Sequence, residues 1–314
     1  LVYLACLVLL GLPIMTMEFS LGRGAQKSPV KMYQELEPKG SKWHLHGYVA
    51  MAGNIILLMC YCTICGWMLQ YFVDTAAGKF VGLNVEQIGA AFPAMTQNTP
   101  AMACYTIATV ALATIVCSFS LQGGLERITK WMMLALLSIM ILLAVNSCML
   151  EGAGEGLAFY LKPDFKKFTE AGVWNVVVAA MNQSFFSLSL GIGSMAIFGS
   201  YIGKDRSLMG EATRVCALDT MVALCAGLII FPACSAYGVD VGAGPALIFM
   251  TLPNVFNNLP MGQFWGSLFF LFMTFAAYST VLAVFENIVA CVSELTGWSR
   301  KKTCAKVFLY HLCD

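Results

Sequence analysis

Charge is what this sequence has least of. Of its 314 residues only 11% are Asp, Glu, Lys or Arg, and three are His. Soluble domains carry about 25% charged residues, so a water-covered globular protein is excluded. The missing charges also exclude chemistry. An intramembrane aspartyl protease needs a pair of membrane aspartates, and Asp219 is the single Asp well inside a predicted span. A membrane metalloprotease needs a His-rich helix, whereas His44, His46 and His311 fall at the ends of apolar segments. There is no low-complexity tract and no separate soluble domain. The net charge of +1 says little in itself, and no nucleic-acid partner is expected. No covalent chemistry is implied, and the chain reads as a non-enzyme.

Long apolar runs are what it has. Hydrophobic residues make up 59% of the chain, and 1–17, 48–73, 101–119, 131–150, 173–200, 220–239 and 262–285 carry no charge. Each is near or above the roughly 20 residues a spanning helix needs. Their continuous apolarity disagrees with the short alternating strands of a barrel. The predicted fold class is all-α: a polytopic membrane protein with helices near 1–20, 42–74, 100–120, 126–149, 172–202, 208–237 and 262–296. A further helix starts near 300. Residues 1–314 read as one transmembrane domain, about seven spans plus the start of an eighth, multi-pass in the cell's inner (plasma) membrane. Segments 75–98 and 150–171 read as loops. The stretch Ala246 to Phe256, after Gly242–Pro245, is too short to span and reads as a re-entrant or surface helix.

Basic residues fix the orientation. Of the 18 Lys and Arg, five lie in 23–42, two in 127–130, three in 204–214 and four in 300–306. These are alternate loops, and the positive-inside rule makes them cytoplasmic. Most of the 13 cysteines fall within spans, where Cys behaves as a small apolar residue. Cys62-x-x-Cys65 has redox- or zinc-like spacing, but no second pair or His lies near it in sequence.

The polar residues at membrane depth carry the functional signal, because such groups are expensive and face a cavity or one another. Three acids, Glu18, Asp219 and Glu286, lie in or near spans, and hydroxyls gather at Ser187, Ser189, Ser279 and Thr280, with Tyr61 in the second helix. A single serine can bond back to its own helix; a cluster drawn from several helices is harder to dismiss. The run 173–200 also weakens itself at its midpoint with Ser187-Leu-Ser189 followed by Gly191-Ile-Gly193. One reading is a broken helix near 187–193 whose freed carbonyls and helix ends meet a ligand. The other is close helix packing through small residues.

At these residues the sequence resembles the neurotransmitter:sodium symporter family, bacterial branch. Gly11-Leu-Pro-Ile-Met-Thr-Met-Glu18 to Gly22-Arg23 resembles the family's second span and following loop, and Tyr61-Cys-Thr-Ile-Cys-Gly-Trp67 its third span. Phe185 to Gly193 resembles the broken sixth span, Leu218-Asp219-Thr220 the seventh, Thr251 to Phe256 the fourth extracellular loop, and Ala276-Ala-Tyr-Ser-Thr280 the eighth. The resemblance implies a partial LeuT-like inverted-repeat fold and sodium-coupled symport of a neutral, apolar amino acid by alternating access. The family's first span and its last spans have no counterpart here, so the chain reads as a fragment of a larger transporter. The alternatives are a truncated, non-transporting fragment or an intramembrane enzyme.

Carried over by motif position, the resemblance assigns one sodium ion to Ser187 and Asp219, and a second to the Ala276 carbonyl with the Ser279 and Thr280 hydroxyls. The amino acid is assigned to Leu57, Tyr61, Phe186, Ser189, Ile192 and Val284. Asp219, with Tyr3 and Gln183 nearby, supplies the compensating charge that other members take from chloride, so sodium is expected as the coupling ion and chloride is not. Tyr201 and Glu294 match gate residues. The implied partners are a small-molecule amino acid and the lipid bilayer.

Overall fold

A computed structural model describes residues 1–118, 122–163, 165–238 and 247–313. Among them every regular element is a helix, as composition predicts. Gly242–Pro245 and Asp164 lie outside the described residues. The helices are α1 (Val2–Ala25), α2 (Pro29–Leu36), α3 (His44–Ala76), α4 (Val85–Gln97), α5 (Thr99–Ser118), α6 (Gln122–Cys148) and α7 (Ala153–Leu161). There follow α8 (Phe165–Glu170), α9 (Val173–Ser187), α10 (Ser194–Tyr201), α11 (Leu208–Tyr237), α12 (Leu252–Asn257), α13 (Gly262–Thr296) and α14 (Arg300–Cys313). Among the described residues α1, α3, α5, α11 and α13 are long and apolar enough to cross a membrane. Met133–Cys148 with Ala153–Leu161, bent by 116°, is either a broken span or a re-entrant loop.

Two expected loops contain helices. Residues 75–98 hold α4, whose start is a capping box: Asn84 Oδ1 accepts the Gln87 N–H and Gln87 Oε1 accepts the Asn84 N–H. Residues 150–171 hold α7 and α8.

Prolines leave local marks. The ring of Pro13 would crowd the carbonyl four residues earlier, and there α1 widens into a π-helical turn over Leu7–Gly11. Pro232 inside α11 frees the Leu228 carbonyl, and the Cys148 thiol donates to it at 3.9 Å.

The described chain forms two compact units. The first comprises Leu1–Met59, Pro163–Met221 and Ala283–Asp314; the second comprises Cys60–Lys162 and Val222–Leu282. In the second, buried rings of Tyr71, Phe80, Phe249, Phe256, Phe269 and Phe270 make the core. Gly227 leaves room there for Tyr160, whose ring stacks on Phe231 at 4.8 Å. Asn257 bridges its unit's loop backbone, donating to the Leu83 carbonyl and accepting the Gly82 N–H.

In the first unit α1 lies along α9 and α10, around a core of Leu7, Met15, Phe19, Leu188, Leu190, Leu208 and Ala212. Two glycines bring the backbones of α1 and α10 into contact. A methyl group at Gly22 would lie 1.7 Å from the Ala196 carbonyl oxygen, and one at Gly199 would lie 2.4 Å from that of Phe19. In the connection between α2 and α3 the His44 backbone N–H and ring Nδ1 reach the Glu37 carboxylate at 3.1 and 2.9 Å. The ring contact is the larger cause holding that carboxyl below its ordinary range.

Because the α1–α10 clash is with backbone, it cannot be relieved by a side-chain rotation. Gly22→Ala and Gly199→Ala should each lower the melting temperature of the purified protein markedly, by several degrees for each 1–3 kcal/mol that overpacking costs. Gly24→Ala, with nothing within 4 Å of the new methyl group, should leave it unchanged. Equal melting temperatures for all three would contradict this packing.

Candidate functional site

The run 173–200 is broken. Helix α9 ends at Ser187 and α10 begins at Ser194, with Ser189, Gly191 and Gly193 at φ of +52°, +85° and +76°. The α9 end closes on itself: the Leu190 N–H bonds the Phe185 carbonyl at 3.0 Å and the Ser189 N–H bonds that of Phe186 at 3.1 Å. This is the pattern in which a left-handed residue, usually Gly, terminates a helix. Here the left-handed residue is a serine, a backbone state that costs roughly 1–2 kcal/mol in an L-residue. Sequence left open whether Gly191 and Gly193 serve packing or a break. The structure answers both ways: the chain is interrupted, and a methyl group at Gly193 would also meet the Pro29 ring at 2.7 Å.

Past the αL turn, the interrupted backbone takes its partners from other helices. Glu18 of α1 accepts the Gly191 N–H on Oε1 at 2.7 Å. Asn54 of α3 donates to the Ile192 carbonyl at 2.6 Å, and its Oδ1 accepts from the Ser194 hydroxyl at 3.4 Å and from the Asn287 amide of α13 at 3.2 Å. Asn54 and Asn287 are both 2% exposed, a burial that polar side chains reach only when bonded. Sequence reading noted Glu18 without giving it a partner, and passed over Asn54 and Asn287. Their signal was an uncharged amide within a predicted span, Asn54 in the run 48–73 and Asn287 just past the run 262–285.

At the α9 side of the break the structure brings Ser187, Asp219 and Tyr3 together. Ser187 Oγ donates to Asp219 Oδ2 at 2.5 Å, and the Tyr3 hydroxyl lies 3.2 Å from that oxygen and 3.3 Å from Ser187 Oγ. Asp219 is eleven residues past the start of α11, so it caps no helix end. Gln183 is exposed one turn before Ser187 on α9.

The remaining residues are placed as follows. On α13 the Ser279 hydroxyl donates to the Ala276 carbonyl at 2.8 Å, the back-bond expected of a lone helical serine. Thr280 follows, half-buried. Leu57 and Tyr61 are one turn apart on α3, Val284 is buried on α13, Ser189 and Ile192 lie within the break, and Phe186 is exposed at its edge. Glu294 accepts from the Ser28 backbone N–H at 3.1 Å and from its hydroxyl at 2.5 Å, at the start of α2. Tyr201 is exposed at the end of α10. Glu286 is held by a two-pronged ion pair with Arg300. Cys62 and Cys65 are buried, and Cys65 Sγ donates to the Thr274 carbonyl at 3.8 Å. Among the described residues no group of three or more His, Cys, Asp or Glu side chains could hold a metal ion.

An all-helical, multi-pass membrane protein with a helix broken beside a hydroxyl–carboxylate cluster has the architecture of a LeuT-fold transporter. The chain belongs to the sodium:neurotransmitter symporter family, whose profile matches residues 83–313. The uncharacterized sodium-dependent transporter YhdH of Bacillus subtilis (strain 168) is 34% identical over 302 residues, which are 96% of this chain and 66% of that protein. An uncharacterized sodium-dependent transporter of Methanocaldococcus jannaschii is 30% identical, over 96% of this chain and 63% of its own length. A crystal structure of MhsT in complex with L-phenylalanine superposes with a TM-score of 0.92 at 34% identity, covering 99% of this chain and 69% of that one. The chain thus spans about two thirds of the length of these relatives.

Proposed function

We propose that the protein carries a neutral, apolar amino acid across the plasma membrane together with sodium, by alternating access and without a requirement for chloride. The observation that carries this is the interrupted helix with the Ser187–Asp219–Tyr3 cluster at its edge. Because Ser187 donates its proton to Asp219, a lone pair of its oxygen is left for a cation. Sodium is a hard cation and takes such oxygens, as other hard cations do. A second sodium would use the Ala276 carbonyl with the Ser279 and Thr280 hydroxyls. Ser279 already turns toward that carbonyl and would exchange its back-bond for the ion.

Leu57, Tyr61, Phe186, Ser189, Ile192 and Val284 are the residues proposed to meet the amino acid. None is charged, so a charged substrate side chain would lose its water without gaining a partner, at a cost of several kcal/mol. The phenylalanine bound by MhsT is of the class this reading expects. Tyr201 and Glu294 are the proposed gate residues; in this structure Glu294 is engaged by Ser28.

Two experiments in the full-length protein test the ion assignments. Ser279→Ala and Thr280→Val should each raise the sodium concentration for half-maximal uptake by about fivefold or more, the effect of losing at least one hydrogen-bond equivalent. Sodium dependence unchanged in both removes the second site. Two sodium ions with a zwitterion bring net positive charge to the site, and unit charges about 4 Å apart interact by about 4 kcal/mol at an effective dielectric of 20. Asp219→Asn should therefore cut uptake by at least about tenfold in chloride-free buffer, with part of it restored by added chloride. Wild-type uptake that vanishes when gluconate replaces chloride would show that Asp219 is not the compensating charge.

A further inference from the structure

Between Gly191 and Gly193 the backbone has little of its own to hold it. Positive φ at both glycines places them where the chain carries no side-chain restraint, so the peptide planes on either side of Ile192 can turn. Two outside side chains restrain them, Glu18 through the Gly191 N–H and Asn54 through the Ile192 carbonyl.

The Asn54 amide is itself fixed. It can donate twice and accept twice, and all four places are filled. Its nitrogen donates to the Ala50 and Ile192 carbonyls at 2.8 and 2.6 Å, and its oxygen accepts from Asn287 and Ser194. Turned over, the amide would set its oxygen against two carbonyl oxygens and its nitrogen against the Asn287 NH2 group, so the two carbonyls and Asn287 decide which way it faces. Its neighbour Gly53 faces the residue being held: a methyl group there would only touch Ile192 Cγ2, at 3.7 Å. Ile192 is β-branched and has few rotamers, so its backbone orientation decides where its side chain goes.

We propose that Asn54, oriented by Asn287, is a positioning residue for substrate selectivity: by holding the Ile192 peptide it fixes the Ile192 side chain, and so the size of apolar amino acid that is accepted. The proposal rests on the symport reading, in which Ile192 borders the substrate. Asn54 acts through Ile192 and has no role in binding sodium.

Two measurements on the full-length protein separate this idea from that reading. Hydrogen–deuterium exchange across residues 186–195, in detergent with sodium and no amino acid, needs no substrate. Asn54→Ala should exchange about tenfold faster there, and Asn287→Ala should do so to a smaller degree, with exchange along α1 unchanged. The second measurement is the ratio of KM for L-leucine to KM for L-tryptophan in proteoliposomes. It should shift by about fivefold or more in Asn54→Ala, and in the same direction in Asn287→Ala, while the sodium concentration for half-maximal uptake moves less than about twofold. If Asn54→Ala is not recovered folded, Asn287→Ala carries both comparisons. Unchanged exchange in the break overturns the positioning role. Both KM values moving by one common factor overturns the selectivity role. A wild-type protein that carries no amino acid overturns the symport reading and with it the selectivity claim, while the exchange result still decides whether Asn54 holds the break.

Discussion

An interrupted backbone at membrane depth must find its hydrogen-bond partners inside the protein, because lipid offers none and each orphaned group costs several kcal/mol. Much of the first unit answers to that constraint. The end of α9 folds its last N–H groups back onto its own carbonyls, at the cost of a left-handed serine. Beyond that turn the chain is supplied from outside, by a carboxylate on α1 and an amide on α3. Glu18 reaches Gly191 from α1, and Gly22 and Gly199 let the α1 and α10 backbones touch close by. Asn287 then completes the amide that completes the break. The glycines, the buried acid and the two buried amides are parts of one arrangement.

That arrangement explains how much could be read from sequence. The spans were legible because a charge-free run of some 20 residues has one stable state in lipid. The break was legible because Ser and Gly concentrate where a spanning helix can least tolerate them. Asp219 and Ser187 were legible as a pair only through family resemblance, although an Asp within a predicted span pointed the same way. Glu18 at Gly191, and Asn54 between Ile192 and Asn287, were not legible. Their meaning depends on which backbone atom stands opposite, at sequence separations of 173 and 138 residues. The α4 helix is a different case: the capping pair Asn84 and Gln87 was in plain view, but a 13-residue helix in a connecting segment makes little mark beside the long spans.

In the proposed function, the chemistry that stabilises the break is also what meets the ligands. Asp219 is carried on the intact helix α11, with the Ser187 hydroxyl donating to it at the edge of the break. The apolar residues proposed around the amino acid then leave its ammonium and carboxylate to the ions and the backbone. The side chain is left to fit by size. Family membership is established for this chain; the coupled movement of sodium and amino acid is the property on which the functional account stands.

Reconstituted full-length protein tests that property most directly. Liposomes carrying an inward sodium gradient should accumulate radiolabelled L-leucine above its external concentration. The accumulation should collapse when an ionophore dissipates the gradient, and unlabelled L-methionine should compete where glutamate and lysine do not. Leucine that merely equilibrates, at the same rate with potassium in place of sodium, would contradict the account.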